Sequence, residues 1–180
     1  MSKPKIKFRL CFKQLDSMAL EQFLFTQREE LFLPDRLAVK KVVDLVFDKG
    51  GFVAGFDSNN QVQAMFGFFF GDPSEGFENK DLMFIYVAAI SKAFRLSRTF
   101  LQGITSIMQE GIRLKIDQFR MQASINDRYL NRLYSKFSNP IGQSKTLRGY
   151  PVIVYQGNID DVFSKIGPSI QVALGQQSAF

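Results

Sequence analysis

Histidine is absent from this chain of 180 residues. With it go the Ser-His-Asp triad, the Cys-His pair and every imidazole general base. Cysteine occurs once, as Cys11, which excludes an intrachain disulfide and any Cys-rich zinc site. That thiol lies in the apolar stretch Phe8 to Phe12 and reads as a buried small hydrophobe. Tryptophan is missing as well, whereas phenylalanine occurs 20 times, which promises a large core. No apolar run reaches the roughly 18 uncharged residues of a membrane span. The start, Met1-Ser2-Lys3-Pro4-Lys5, is basic but leads into an amphipathic strand and not into the apolar core of a signal peptide. The expectation is a cytoplasmic chain with no membrane span. Any catalysis in it runs on carboxylates, Tyr, Lys, Ser/Thr, backbone dipoles or a borrowed cofactor, with no metal.

What is present is ordinary globular material: 46% hydrophobic and 22% charged residues, enough to bury a core. No repeat, linker or composition break divides the chain, so residues 1–167 are expected to form a single domain. Residues 168–180, from Pro168 on, make a C-terminal tail with few charges and no clear period, expected to be weakly structured. The net charge of +6 is unevenly placed. Residues 91–150 hold 11 Lys/Arg against Glu110, Asp117 and Asp127, a net of +8, while the rest of the chain nets −2. A basic third of this kind faces an anion: a nucleotide cofactor, a nucleic acid or an acidic carrier protein.

Periodicity supplies the elements. Lys5 to Phe12 alternates apolar and basic residues as a half-buried strand does. Asp16 or Ser17 is placed to cap a helix running to about Leu33, and Pro34-Asp35 breaks it and starts another, which Gly50-Gly51 ends. Phe52–Phe56 and Val62–Phe70 form two strands joined by Asp57-Ser58-Asn59-Asn60, a link of hairpin length. Gly71 to Lys80 is a loop. Leu82 to Ile90 (LMFIYVAAI) is apolar on both faces, the mark of a central strand covered by helices. A helix from about Arg98 to Arg113 carries Leu101, Ile104, Ile107, Met108 and Ile112 on one side. Leu114 to Ala123 alternates again. Asp127 to Phe137 is helical, with Tyr129, Leu130, Leu133, Tyr134 and Phe137 on one face. Gly142 to Gly149 reads as a polar edge strand and Tyr150 to Gln156 as the strand closing the sheet. The order β-α-α-β-β-β-α-β-α-β-β predicts an α/β fold with a mixed central sheet flanked by helices.

That order, with two local segments, resembles the GNAT (N-acetyltransferase) superfamily over roughly residues 5–157. Ile90-Ser-Lys-Ala-Phe94-Arg95-Leu-Ser-Arg98-Thr-Phe100 is similar to the family's pyrophosphate loop, in which an aromatic and an Arg/Gln precede x-x-Gly-x-Gly/Ala at a helix start. Phe94-Arg95 fits, while Arg98 and Phe100 stand where the two small residues belong. Downstream, Gly111, Asn126 and Leu133-Tyr134-Ser-Lys136 resemble the segment N-x-x-A-x-x-L-Y-x-K-x-G-F, with the Asn-to-Tyr distance one residue longer and Phe137-Ser138 in place of Gly-Phe. The resemblance implies coenzyme A or an acyl-CoA such as acetyl-CoA as co-substrate, an amine-bearing acceptor, and direct acyl transfer. It assigns the cofactor to Val87, Ile90, Arg95, Leu96, Ser97, Arg98, Thr99, Phe100 and Asn126. It gives Tyr134 the role of general acid to the departing sulfur.

The physical logic of such a loop is that backbone N–H groups and the positive end of a helix hold an anion, and an Arg in place of glycine contacts phosphate itself. Phe100 then has to point away from the cofactor. A strand end beyond Val87–Ile90 offers backbone N–H to a developing oxyanion. The central strand has no carboxylate, which leaves Glu29, Glu30, Asp81 and Asp117 as possible bases without singling one out. Lys49-Gly-Gly-Phe52-Val-Ala-Gly-Phe56 approaches the RNA-recognition signature, but Gly51 occupies the slot of the first stacking aromatic and a hairpin follows where a helix belongs, so a nucleic acid partner is not expected. P-loop and Rossmann glycine patterns are missing. A GNAT-like module without catalysis, and a long-chain acyl donor carried on an acidic protein, stand as alternatives.

Overall fold

The computed structural model describes residues 5–95 and 98–166. Within them the elements run β1 (Lys7–Leu10), α1 (Lys13–Thr26), α2 (Arg36–Lys49), β2 (Gly50–Phe56), β3 (Val62–Phe70), β4 (Leu82–Ile90), α3 (Thr99–Arg113), β5 (Gln118–Ser124), α4 (Arg128–Tyr134), β6 (Asn139–Lys145) and β7 (Pro151–Asn158), followed by α5 over residues 159–166. The strands form a seven-stranded sheet in the order β1-β2-β3-β4-β5-β7-β6, so β4 is the middle strand, as its two-sided apolar sequence predicts. The fold is the expected mixed α/β one. The tail from Pro168, expected to be weakly structured, lies outside the described residues.

Two compact units share these elements, one made of the chain up to Phe69 with Tyr86–Ile107, the other of Phe70–Ile85 with the chain from Met108 on. In the first, β1, β2 and β3 pair antiparallel in order, with Phe52, Phe66 and Phe69 fully buried. The β2–β3 link is the expected hairpin: Asp57 Oδ1 accepts the N–H groups of Asn59 and Gln61 at 2.9 and 3.0 Å, and Asn60 takes φ 59°. Asn tolerates that left-handed turn better than most residues.

The ends of α1 depart from expectation. The helix starts at Lys13 with Phe12 as N-cap and no side-chain cap. Asp16 lies inside the first turn, where its carboxylate accepts the Phe12 N–H (2.8 Å) and two bonds from Arg9 (2.9 and 2.8 Å). The regular helix stops at Thr26, and the chain continues in turns closed by a Schellman pattern. Leu33 N–H reaches Arg28 O, Phe32 N–H reaches Glu29 O, and Phe32 adopts the left-handed conformation at φ 55°. The expected cap of α2 is present, with Asp35 accepting the Ala38 N–H at 2.8 Å.

In the second unit β4 pairs parallel with β5 over Leu82–Ile85 and Gln118–Met121, the pairing that a strand-helix-strand crossover produces. β5 starts later than its alternation suggests. Lys115 at φ 60° closes a Schellman turn on α3, with Ile116 N–H to Gly111 O and Lys115 N–H to Ile112 O, and this holds residues 114–117 out of the strand. The expectation that Tyr150–Gln156 closes the sheet is overturned, because β7 inserts between β5 and β6 and β6 is the edge. The composition explains the outcome. β6 (NPIGQSK) is exposed, polar and carries Pro140, as edge strands do, whereas β7 buries Val152, Val154 and Tyr155. Two apolar faces are also narrower than expected, with Ile112 on α3 48% exposed and Tyr129 on α4 68% exposed.

Candidate active site

The end of the middle strand is tied down by polar bonds on one flank. Ser91 donates its N–H to Gln63 O at 2.9 Å and its hydroxyl to Gln63 Oε1 at 2.8 Å. Gln63 in turn donates through Nε2 to Asp57 Oδ2 at 2.8 Å. At the other end of β4, Gly71 N–H donates to Leu82 O at 2.7 Å.

Beyond β4 the chain makes a single 3-10 turn, Lys92–Phe94, with Phe94 N–H on Ser91 O at 3.0 Å. Arg95 follows in extended conformation. Leu96 and Ser97, two of the predicted cofactor residues, lie outside the described residues. Arg98 is exposed, and its carbonyl accepts the Gln102 N–H at 2.9 Å, the first bond of α3. Thr99, the first residue of the helix, is buried. The Phe100 ring tilts against Phe66, 5.8 Å between centroids, as it must if backbone and not ring faces a ligand. Val87 and Ile90 on β4 are half-buried. These positions lie together in the first unit. The first turn of a helix carries N–H groups that the helix itself does not satisfy and a positive dipole end. With the exposed cations Lys92 and Arg98 beside it, the segment has the chemistry to hold a phosphate.

Asn126 and Tyr134 belong to the second unit. Asn126 is exposed in the turn before α4, donating its N–H to Ser124 Oγ at 3.4 Å. Tyr134 is 6% exposed, edge-on to Tyr155 at 5.7 Å and tilted to Phe137 at 6.2 Å. Burial pushes its phenol well above the ordinary range, with the charge of Asp127 and the neighbouring Tyr155 adding to the shift. A phenol in that setting keeps its proton and serves as a donor. Among the carboxylates considered as bases, Glu30 is committed to Arg95, and Glu29, Asp81 and Asp117 are exposed.

Residues the sequence did not single out also shape the region. Asn131 ties α4 to its surroundings by donating to Ser124 O and Asp127 O at 2.8 and 2.7 Å and accepting the Tyr155 hydroxyl at 2.8 Å. Arg120 on β5 fastens the β3–β4 loop through Asp72 (2.9 Å) and Glu75 (2.6 Å). Burial works against the Arg120 charge, and the bonds to Glu75 and Asp72 more than offset it. A lone polar residue in an apolar strand, as Gln63 is in VQAMF, was a signal for such ties. Asn131 carried none.

Among the described residues no group of three or more His, Cys, Asp or Glu is arranged to hold a metal ion, and no helix is long and apolar enough to cross a membrane. At the sequence level no family model and no curated protein matches the chain. Solved structures do match. An acetyltransferase of the GNAT family from Staphylococcus aureus superposes with a TM-score of 0.65 at 12% identity, over 86% of this chain and 99% of that one. A ribosomal-protein-S5-alanine acetyltransferase from Vibrio fischeri gives 0.64 at 10% identity, over 89% and 97%. A ribosomal L7/L12 α-N-protein acetyltransferase in complex with coenzyme A gives 0.64 at 14%, again over 89% and 97%. The fold of this chain is the GNAT fold.

Proposed function

We propose that residues 1–167 form an acyl-CoA-dependent N-acyltransferase that moves an acetyl or longer acyl group directly to an amine. The observation that carries the reading is the segment Ile90–Phe100 in its GNAT setting: the end of the middle strand, a short cationic loop, and a helix start whose aromatic is turned onto Phe66. Coenzyme A fits the chemistry of that segment, since its pyrophosphate asks for helix-start amides and cations. The chain would hold it through Val87, Ile90 and residues 95–100, with Asn126 assigned by resemblance alone. A bound acyl-CoA supplies an activated acyl group on a thiol leaving group. The amine nitrogen forms the new C–N bond as the C–S bond breaks. Strand N–H groups near Val87–Ile90 would steady the oxyanion, the resemblance alone gives Tyr134 the role of proton donor to the sulfur, and the amine proton passes to water.

Calorimetry with millimolar coenzyme A, acetyl-CoA and a longer acyl-CoA tests this, with heat and a raised melting temperature as the expected result. Arg98→Ala should weaken binding at least about tenfold, as losing a charge-assisted bond does. Tyr134→Phe should spare binding and lower kcat about a hundredfold, within the usual range for proton transfer. No heat with any of the three ligands would leave the transferase reading without support. A second reading, a GNAT-like binding module without catalysis, is favoured by Arg98 and Phe100 at the two small-residue positions and by the burial of Tyr134. Its mark is tight coenzyme A binding with no transfer to any amine.

A further inference from the structure

Arg95 is engaged at every nitrogen of its guanidinium. Nε donates to Ile90 O at 2.9 Å, Nη1 to Glu30 Oε1 at 3.0 Å, and Nη2 to Gln27 Oε1 at 2.8 Å, with Glu30 Oε2 2.6 Å from Nη2. Both oxygens of one carboxylate are used, the forked geometry that makes Arg–carboxylate pairs directional as well as strong. Glu30 and Gln27 sit in the turn that ends α1, held by the Schellman bonds around Phe32. The opposite flank of the loop is tied at Ser91 to Gln63 and through it to Asp57. Residues 90–95 are thus fixed from two sides by side chains of other elements.

A cation that faces a carboxylate at this distance is largely neutralised toward a second anion. Its fork also points at the α1 turn. We infer that Arg95 is a positioning residue and not a phosphate ligand, with Glu30 and Gln27 its anchors. Together they set the backbone of residues 90–95 so that the loop amides and the start of α3 hold the anion. The inference rests on the transferase reading above as far as the anion is concerned, and it assigns to the turn 27–33 a direct hold on the cofactor loop.

The two roles of Arg95 make opposite forecasts. If Arg95 touched phosphate, removing Glu30 would release its charge and tighten binding, and reversing the pair would place an acid against the ligand. As a positioning residue, Arg95 loses its hold in Glu30→Ala, and coenzyme A should bind about fivefold more weakly, within the span that residues outside a ligand site transmit. Hydrogen exchange at the Ser91 and Phe94 amides should quicken in the same variant. The reversed pair, Glu30→Arg with Arg95→Glu, regains the ion pair but not the bonds to Ile90 O and Gln27 Oε1, so it should recover only part of the slow exchange and of the affinity. Glu30 is half-exposed, so the variants should fold, and Glu30→Gln, which keeps an acceptor, should fall between parent and Glu30→Ala. Tighter binding in Glu30→Ala overturns the inference. Exchange judges the anchor without any ligand: unchanged rates in Glu30→Ala overturn it even if the parent binds coenzyme A. A parent that binds no coenzyme A defeats the transferase reading instead.

Discussion

Gly103 on α3 gives up helix propensity for room. Alanine there would gain about 1 kcal/mol of propensity, yet its Cβ would stand 2.0 to 2.6 Å from three atoms of the Phe66 ring. Phe66 is fully buried and cannot swing aside, and overpacking of this kind costs about 1–3 kcal/mol. Gly103→Ala should therefore lower the melting temperature, and an unchanged or raised value would show that the ring has space to move. Asp16 is the other residue with a measurable signature. The Arg9 guanidinium holds its carboxyl below the usual range, against the opposing effect of burial. A depressed carboxylate pKa contributes stability that is complete above the unfolded value, near 3.8, and lost as pH falls through the folded value. Asp16→Asn should cost about 2 kcal/mol at neutral pH, given the charged bonds it makes. The gap to the parent should close on acidification below pH ~4. A gap that persists there would mean that the pair does not set the difference.

At the scale of elements, local chemistry and tertiary context divided the work. The Asp35 cap of α2 was legible because Pro34-Asp35 before a helical period is a local stop and start. Asp35→Ala should cost about 1 kcal/mol and lower the denaturant midpoint without altering the slope; no shift would mean that packing alone holds the helix start. α1 was less legible. Its first turn answers to Arg9, a residue on β1, and its end answers to a left-handed Phe32 that no propensity favours. The exchange of β7 and β6 is a matter of the same kind. Both segments read as strands, and the order followed from burial: the more apolar one was needed inside. The polar run of β6 was legible as an edge strand, as Gly142–Gly149 was read, but the inner place of Tyr150–Gln156 was not.

At the scale of the molecule, charge is the property most open to test. The block 91–150 nets +8 within a chain of +6, and it contains the loop proposed to meet a pyrophosphate. Screening lengths shrink from about 14 Å to about 4 Å between 0.05 and 0.5 M salt. Coenzyme A affinity should therefore fall several-fold across that range, and salt-independent binding would show that the basic block does not hold the phosphates.

Element types, their order and the middle place of Leu82–Ile90 were determined by the sequence alone, because periodicity and two-sided apolarity are local records of burial. The same holds for the cationic loop at a helix start, which is a matter of spacing. Tertiary structure decided what those residues do to one another. The hold of Glu30 and Gln27 on Arg95, the chain from Ser91 through Gln63 to Asp57, and the clasp of Arg120 on Asp72 and Glu75 join positions 6 to 68 residues apart. A surface acid and a buried anchor are the same letter in a sequence. Only the distance to a partner on another element separates them, and that distance is set by the fold.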